Sequence, residues 1–384
     1  MSSAGSSPES SRSSSLGRFL FSAQGWPYLL VPFIPIAIAL ELAHASPSLI
    51  FFASALGVVP TAALMGRATE ELAHRAGPGI GGLLNVTFGN APELIIALFA
   101  LNQGLHEVVK ASIVGSILGN LLLVLGAAML VGGWGRERQK FVAEAASAQA
   151  TMLLLATVAL VLPAMFLLAR GDDLPALGEE ATNFPASVDH MSFAVAVVLL
   201  VSYFAGLWFS LKTHRDVFNP VSGEAQEEAR GAWSVRRSVT LLALAGVAVG
   251  FMSEILVGSI EEASEGIGLS PFFVSLIIVA VVGNAAEHWV AIYFAARDKM
   301  DISIGIAIGS SAQIALFVMP VLVLLSSFIG PFPLAMEFSS IEIGAILLAV
   351  LIAAHVSQDG ESTWFEGVQL LAVYVVLGIV FYFV

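Results

Sequence analysis

The sequence predicts an all-α membrane protein of about eleven transmembrane helices, built from two inverted five-helix repeats and an N-terminal extra helix. Three observations carry this. Of 384 residues, 57% are hydrophobic and only 12% charged, about half the charge of a soluble domain. The apolar residues come in runs near the 20-residue length that crosses a hydrocarbon core as a helix. Finally, two stretches of the chain share their polar residues at one fixed offset.

Residues 1–24 open with a serine-rich stretch of little apolar content, the composition of a disordered tail. An extra helix follows at 25–45. The first repeat, 46–212, holds spans at Ser48–Arg67, Ile80–Leu101, Val108–Gly132, Ser147–Ala169 and Met191–Lys212. A connector at 213–237 carries Glu224, Glu227 and Glu228 and reads as a short acidic cytoplasmic helix or loop. The second repeat, 238–384, holds spans at Ser238–Glu265, Pro271–Ala296, Met300–Phe328, Glu337–His355 and Thr363–Val384. With the N-terminus cytoplasmic, fourteen Lys and Arg fall inside and only Lys110 and Arg170 outside. That asymmetry fixes the orientation by the positive-inside rule and puts the C-terminus outside.

The repeat is read from anchors 194 residues apart. Gly89-Asn90-Ala91-Pro92-Glu93 matches Gly283-Asn284-Ala285-Ala286-Glu287. Gly115-Ser116 and Gly309-Ser310 follow at the same distance, and Glu71 and Glu265 precede at the same distance. An odd number of spans per copy turns the second copy upside down. Inverted repeats are common in secondary transporters, which bind substrate near the midplane where the copies meet.

Glu93 and Glu287 fall mid-way along apolar spans, where an ionisable group costs roughly 2.5–3.5 kcal/mol even on a lenient scale. Gly89 and Gly283 weaken the helix, and Pro92 removes a backbone donor. Asn90 and Asn284 add amide carbonyls. Ser116, Ser310 and Gln313 lie on the following spans, Asn120 and Ser311 beside them, along the small-residue stripes Ala111-Gly115-Gly119 and Gly305-Gly309 that permit close helix packing. An oxygen cluster of this kind suits a hard cation such as calcium, which takes 6–8 oxygen ligands. Neither a thiolate nor a histidine cluster points to a softer metal. With the cation gone, two close carboxylates repel, and protons stabilise the empty site. One site then serves cation and proton in competition.

His288 either tunes the proton beside Glu287 or is structural. Glu70 and Glu71 at one end, and Glu254, Glu261 and Glu265 at the other, either form attracting vestibules or are solvated span ends. The net charge of −13 argues against nucleic-acid partners and suits a cationic one. With no cysteine, disulfides and cysteine nucleophiles are excluded. No His or Asp cluster marks a membrane enzyme, and no cofactor is expected beyond the transported ions. The partners expected are a hard cation, which the resemblance below makes calcium, with protons and the lipid bilayer, and a homo-oligomer left open.

The motifs resemble those of the cation/proton exchangers (CAX) of the calcium:cation antiporter superfamily. The resemblance rests on Gly283 to His288, Arg297-Asp298-Lys299-Met300-Asp301 and Gly305 to Leu316, with Gly89 to Ile95 and Ala68 to Leu72 as the weaker copy. It covers roughly residues 45–384. It implies an eleven-span fold, calcium export coupled to proton entry, and Glu93 and Glu287 as the ion-binding pair with Ser310 and Gln313 nearby. Pro92 stands where family members often have Thr. The alternatives are a sodium/calcium exchanger of the same superfamily and, less favoured, a cation channel, for which two Glu residues make no symmetric ring. Short loops point to a prokaryotic plasma membrane.

Overall fold

The computed structural model describes residues 25–178, 186–213 and 233–384. The serine-rich tail and nearly all of the acidic connector lie outside the described residues. A short 3-10 turn, Trp26–Leu30, leads into α1 (Phe33–Leu42). There follow α2 (Pro47–Gly89), α3 (Ala91–Asn102), α4 (His106–Gly133), α5 (Ala143–Arg170) and α6 (Ala186–Trp208). After the connector come α7 (Val235–Gly258), α8 (Ile260–Ile267), α9 (Pro271–Gly283), α10 (Ala285–Ala296), α11 (Met300–Ser326), α12 (Ser340–Val356) and α13 (Trp364–Phe383).

Among the described residues, seven helices are long and apolar enough to cross a membrane alone, and the pair α8–α9, bent by 104°, would make an eighth. The chain is therefore a multi-pass integral membrane protein. Helical segments also occupy the remaining expected positions, but α1, α3 and α12 are shorter apolar helices.

The sequence places a loop between Arg67 and Ile80. Instead, helical backbone runs unbroken from Pro47 to Gly89. A straight helix of that length would span about 64 Å, twice the hydrocarbon core. It is not straight. A Cβ added at Gly81 would strike the carbonyl oxygen of Ala73, and residues eight apart in a straight helix are separated by about 12 Å. The chain turns back between them, and only glycine permits so close an approach.

The 194-residue offset reappears in the backbone. Helix α3 and helix α10 each have 12 residues and start 194 residues apart. Helices α4 and α11 start at His106 and Met300, and each contains a π-helical turn at the corresponding level, Gly119–Val124 and Ile314–Val318. One extra residue per turn in a helix re-aims the side chains after it, a distortion frequent at functional sites.

The loops gather at two ends. At one end β1 (Gln139–Lys140) pairs antiparallel with β2 (Glu361–Ser362). There Gln139 Nε2 donates to Ala295 O and Asp298 Oδ1, both at 2.9 Å. At the other, Met336 N donates to Ser192 Oγ at 2.9 Å and the His106 and Phe332 rings lie 4.4 Å apart. Lipid offers no hydrophobic drive between helices, so close packing must hold them. Gly115 of α4 sits directly on the backbone of Leu276 and the side chain of Ala280 in α9.

Gly115→Ala should therefore push α4 off α9 and cost about 1–3 kcal/mol, read as a lower melting temperature in detergent. Gly119→Ala, where an added Cβ meets nothing within 4 Å, should be neutral or slightly stabilising. Equal losses from both would contradict this packing.

Candidate functional site

The two helical breaks fall at Asn90 and Asn284, with nearly the same backbone angles (φ −96°, ψ 21° and φ −96°, ψ 2°). Proline is not required for such a break, because Ala286 stands where the first copy has Pro92. In the second copy Asn284 Nδ2 donates to Ala280 O at 2.9 Å, while the backbone N–H of Asn284 reaches that oxygen only at 3.4 Å. Asparagine competes with the backbone for its own helical acceptor. After each break Glu93 and Glu287 lie in the first turn of α3 and α10. Helix N-termini favour negative charge, which lowers the cost of a carboxylate at this depth.

The breaks bring the two copies face to face. Glu93 lies against Gly283, where an added Cβ would sit 3.6 Å from Glu93 Oε1. Asn90 Nδ2 donates to Gln313 Oε1 of α11, and Asn284 Nδ2 to Ser116 Oγ of α4 at 3.1 Å. Glu287 Oε2 accepts from Ser310 Oγ at 2.8 Å. Glu93 and Glu287 are within electrostatic reach of each other, and Glu70 of α2 is within reach of Glu287.

These hydrogen bonds use the Asn90 and Asn284 amide nitrogens and leave both amide oxygens free. Asn90 Oδ1, Glu93 Oε2 and Asn284 Oδ1 are buried with no hydrogen-bond partner. Buried polar atoms without partners are rare, and each calls for an explanation. Three donor-less oxygens from two facing breaks fit a hard cation, whose ligands are all acceptors. A cavity opens beside Glu93, lined by Ile96, Ser112, Ser116, Ala280 and Gly283 among others. Among the described residues no group of three His, Cys, Asp or Glu could hold a metal, so the oxygens here are two carboxylates supplemented by amides and hydroxyls.

The other expected residues part company. Glu71 Oε2 accepts the Trp233 N–H at 2.8 Å and so ties α2 to the segment just before α7, while neighbouring Glu70 is exposed and within electrostatic reach of Glu287. Glu254, Glu261 and Glu265 are exposed. The break at Ser259 puts the first on α7 and the others on α8, so they do not share one continuous helical face. His288 is buried with Nε2 3.0 Å from Asn120 Oδ1. That contact joins α10 to the π-turn of α4. Gln149 of α5 is a residue the sequence reading missed. It packs 3.7 Å from where a Cβ of Gly309 would lie, and its Oε1 is buried and unpartnered. A lone Gln in an otherwise apolar span was the available signal.

The model of the sodium/calcium exchanger protein family matches the chain twice, over residues 46–212 and 237–383. The chain belongs to this family. Within it, the exchanger resembles the cation/proton branch in particular. It is 42% identical to the Ca(2+)/H(+) antiporter ChaA of Bacillus subtilis, over 91% of this chain and 96% of that protein. It is 41% identical to a Ca(2+)/H(+) antiporter of Aphanothece halophytica, over 92% and 95%. Among solved structures, native YfkE superposes with a TM-score of 0.77 at 38% identity, covering 93% of this chain and 100% of that one. The H+/Ca2+ exchanger CAX superposes at 0.69 with 17% identity, over 95% and 93%, a likeness of fold alone.

If Gln149 Oε1 completes the oxygen set of this exchanger, Gln149→Leu should reduce the rise in melting temperature produced by added calcium several-fold. A rise equal to that of the unaltered chain would remove Gln149 from the site.

Proposed function

We propose that this exchanger is a secondary active transporter that carries calcium one way and protons the other by alternating access. Glu93 and Glu287 bind either ion, assisted by Asn90, Asn284, Ser116, Ser310 and Gln313. The observation that carries this reading is the set of donor-less oxygens at the two helical breaks. The relatives' identity as Ca(2+)/H(+) antiporters supports the choice of cargo.

Calcium supplies two positive charges to two carboxylates. Without it the pair must take up protons, because burying two unpaired negative charges is prohibitive. The empty, doubly charged site then cannot change the side it faces, and exchange is enforced. Each pH unit across the membrane supplies about 1.4 kcal/mol per proton. The shared offset of the breaks, π-turns and helix starts supports a division into two five-helix repeats at 46–212 and 238–384, inverted relative to one another, preceded by an extra helix at 25–45. That makes eleven crossings, with the N-terminus cytoplasmic and the C-terminus outside. Inversion lets the two copies exchange conformations, which converts an inward-open state into an outward-open one. Glu70 extends the site toward the cytoplasm as a vestibule acid, and Glu254, Glu261 and Glu265 attract cations at the opposite end. His288 acts by holding Asn120 and the π-turn. A prokaryotic plasma membrane suits the short loops and the bacterial relatives.

In everted vesicles an imposed pH gradient should drive calcium uptake without sodium. Glu93→Gln or Glu287→Gln should each lower that uptake at least a hundredfold, with protein levels unchanged. Uptake that requires sodium, or unaltered transport by either variant, would contradict the two-carboxylate mechanism.

A further inference from the structure

A second group of buried charges lies away from the breaks, at the end of the bundle opposite β1. Glu107, Lys110, Glu337 and Glu342 are 5%, 4%, 0% and 1% exposed. Glu107 forms an ion pair with Lys110. Glu342 Oε2 accepts from the N–H and the hydroxyl of Ser339, each at 2.8 Å. Glu337 is different. Both of its oxygens are buried and neither has a hydrogen-bond partner.

Three carboxylates thus share one ammonium. The other groups facing Glu337 do not restore the balance. Asp189 of α6 adds a further negative charge within electrostatic reach. His106, within electrostatic reach of Lys110, packs against Phe332 of the loop that carries Glu337, and its Nε2 is buried without a partner. Residues 172–178, whose Leu174 packs with Ala335, bring only Asp172 and Asp173, and Asp172 is held by Arg170 at 3.5 Å. A buried group with no counter-charge takes up a proton rather than stay ionised.

Glu337 also occupies a mechanical position. It sits on the non-helical strap 327–339 between α11 and α12. The strap is tied at Leu334 N to Ser326 Oγ at 2.8 Å and at Met336 N to Ser192 Oγ at 2.9 Å. Gly330, with φ +90°, lies on the carbonyl of Leu101, and Pro331 lies on Gly104. The strap therefore crosses the ends of α3, which carries Glu93, and of α4, which carries Ser116. The repeat does not reproduce this device. The positions 194 residues from Lys110, Glu337 and Glu342 are Ile304, Ala143 and Ala148.

We propose that Glu337 is a second proton-binding site, separate from the Glu93–Glu287 pair, and that its proton latches the strap 327–339 over the ends of α3 and α4. Protons on that face then control the freedom of the helix that carries Glu93, on one side of the protein only. Burial, the largest influence, pushes the Glu337 carboxyl up to about 7, with Lys110 opposing and Asp189 adding. The sign follows. The fold holds the neutral acid, so the latch is whole below the ordinary value of 4.5 and is lost as pH rises through about 7.

The test uses the purified full chain in detergent, in a Glu93→Gln, Glu287→Gln background that silences the central pair. Infrared spectroscopy from about pH 5 to about pH 9 should show a protonated carboxyl band that disappears near neutrality and is absent when Glu337→Gln is added. Hydrogen exchange at the Leu334 and Met336 amides, corrected for intrinsic rates, should lose protection over the same interval. That loss should be absent with Glu337→Gln. If that variant does not fold, Lys110→Met should move the midpoint upward. A band absent across the range, protection independent of pH, or a midpoint unmoved by Lys110→Met would each overturn the proposal. Because the central pair is already silenced, these outcomes do not depend on the antiport mechanism.

Discussion

The structure turns on the repulsion between two carboxylates that face each other across broken helices. Both lie inside the bundle, and a further charge within electrostatic reach, Glu70, is also negative. The rest of the site is arranged around this conflict. The amide nitrogens of Asn90 and Asn284 are turned into the protein, toward Gln313 and Ser116, and the carbonyl oxygens are left without donors. A site whose two carboxylates and free amide oxygens face one another repels itself when empty and holds together when a cation or protons enter. The breaks, the close approach of Gly283 to Glu93 and the π-turns beside them are the local distortions that make room for it.

Much of this was legible in the chain because the two copies report on one another. A Gly-Asn-x-x-Glu motif on its own is weak evidence, but the same motif at the offset of Gly115-Ser116 and Gly309-Ser310 is not. Comparing the copies also corrects an error. Pro92 looks like the cause of the first break, yet Ala286 occupies the matching place and the break is the same. Proline is therefore not required, and in the second copy the Asn284 side chain takes the helical acceptor. The Glu pair consequently lies at helix N-termini.

What the sequence did not reveal depends on contacts between residues distant in the chain. Gln149 comes near the second copy only because α5 packs on Gly309 of α11. Its counterpart in the other copy is Ile343, so the repeat carried no hint of it. The turn between Ala73 and Gly81 was expected as a loop, and it shows only in the close approach of Gly81 to the Ala73 carbonyl. The vestibule acids Glu70 and Glu71 are adjacent in sequence and were read together. Helical geometry points adjacent residues about 100° apart, so one comes within electrostatic reach of Glu287 and the other holds Trp233.

The central claim is that one set of oxygens holds either calcium or protons. Calcium affinity of the purified, unaltered chain, measured by equilibrium binding across a series of pH values, tests it most directly. If two protons leave as calcium enters, the apparent Kd should rise by between about tenfold and about a hundredfold for each unit that pH falls below neutrality. An affinity that stays constant across the series would contradict the account.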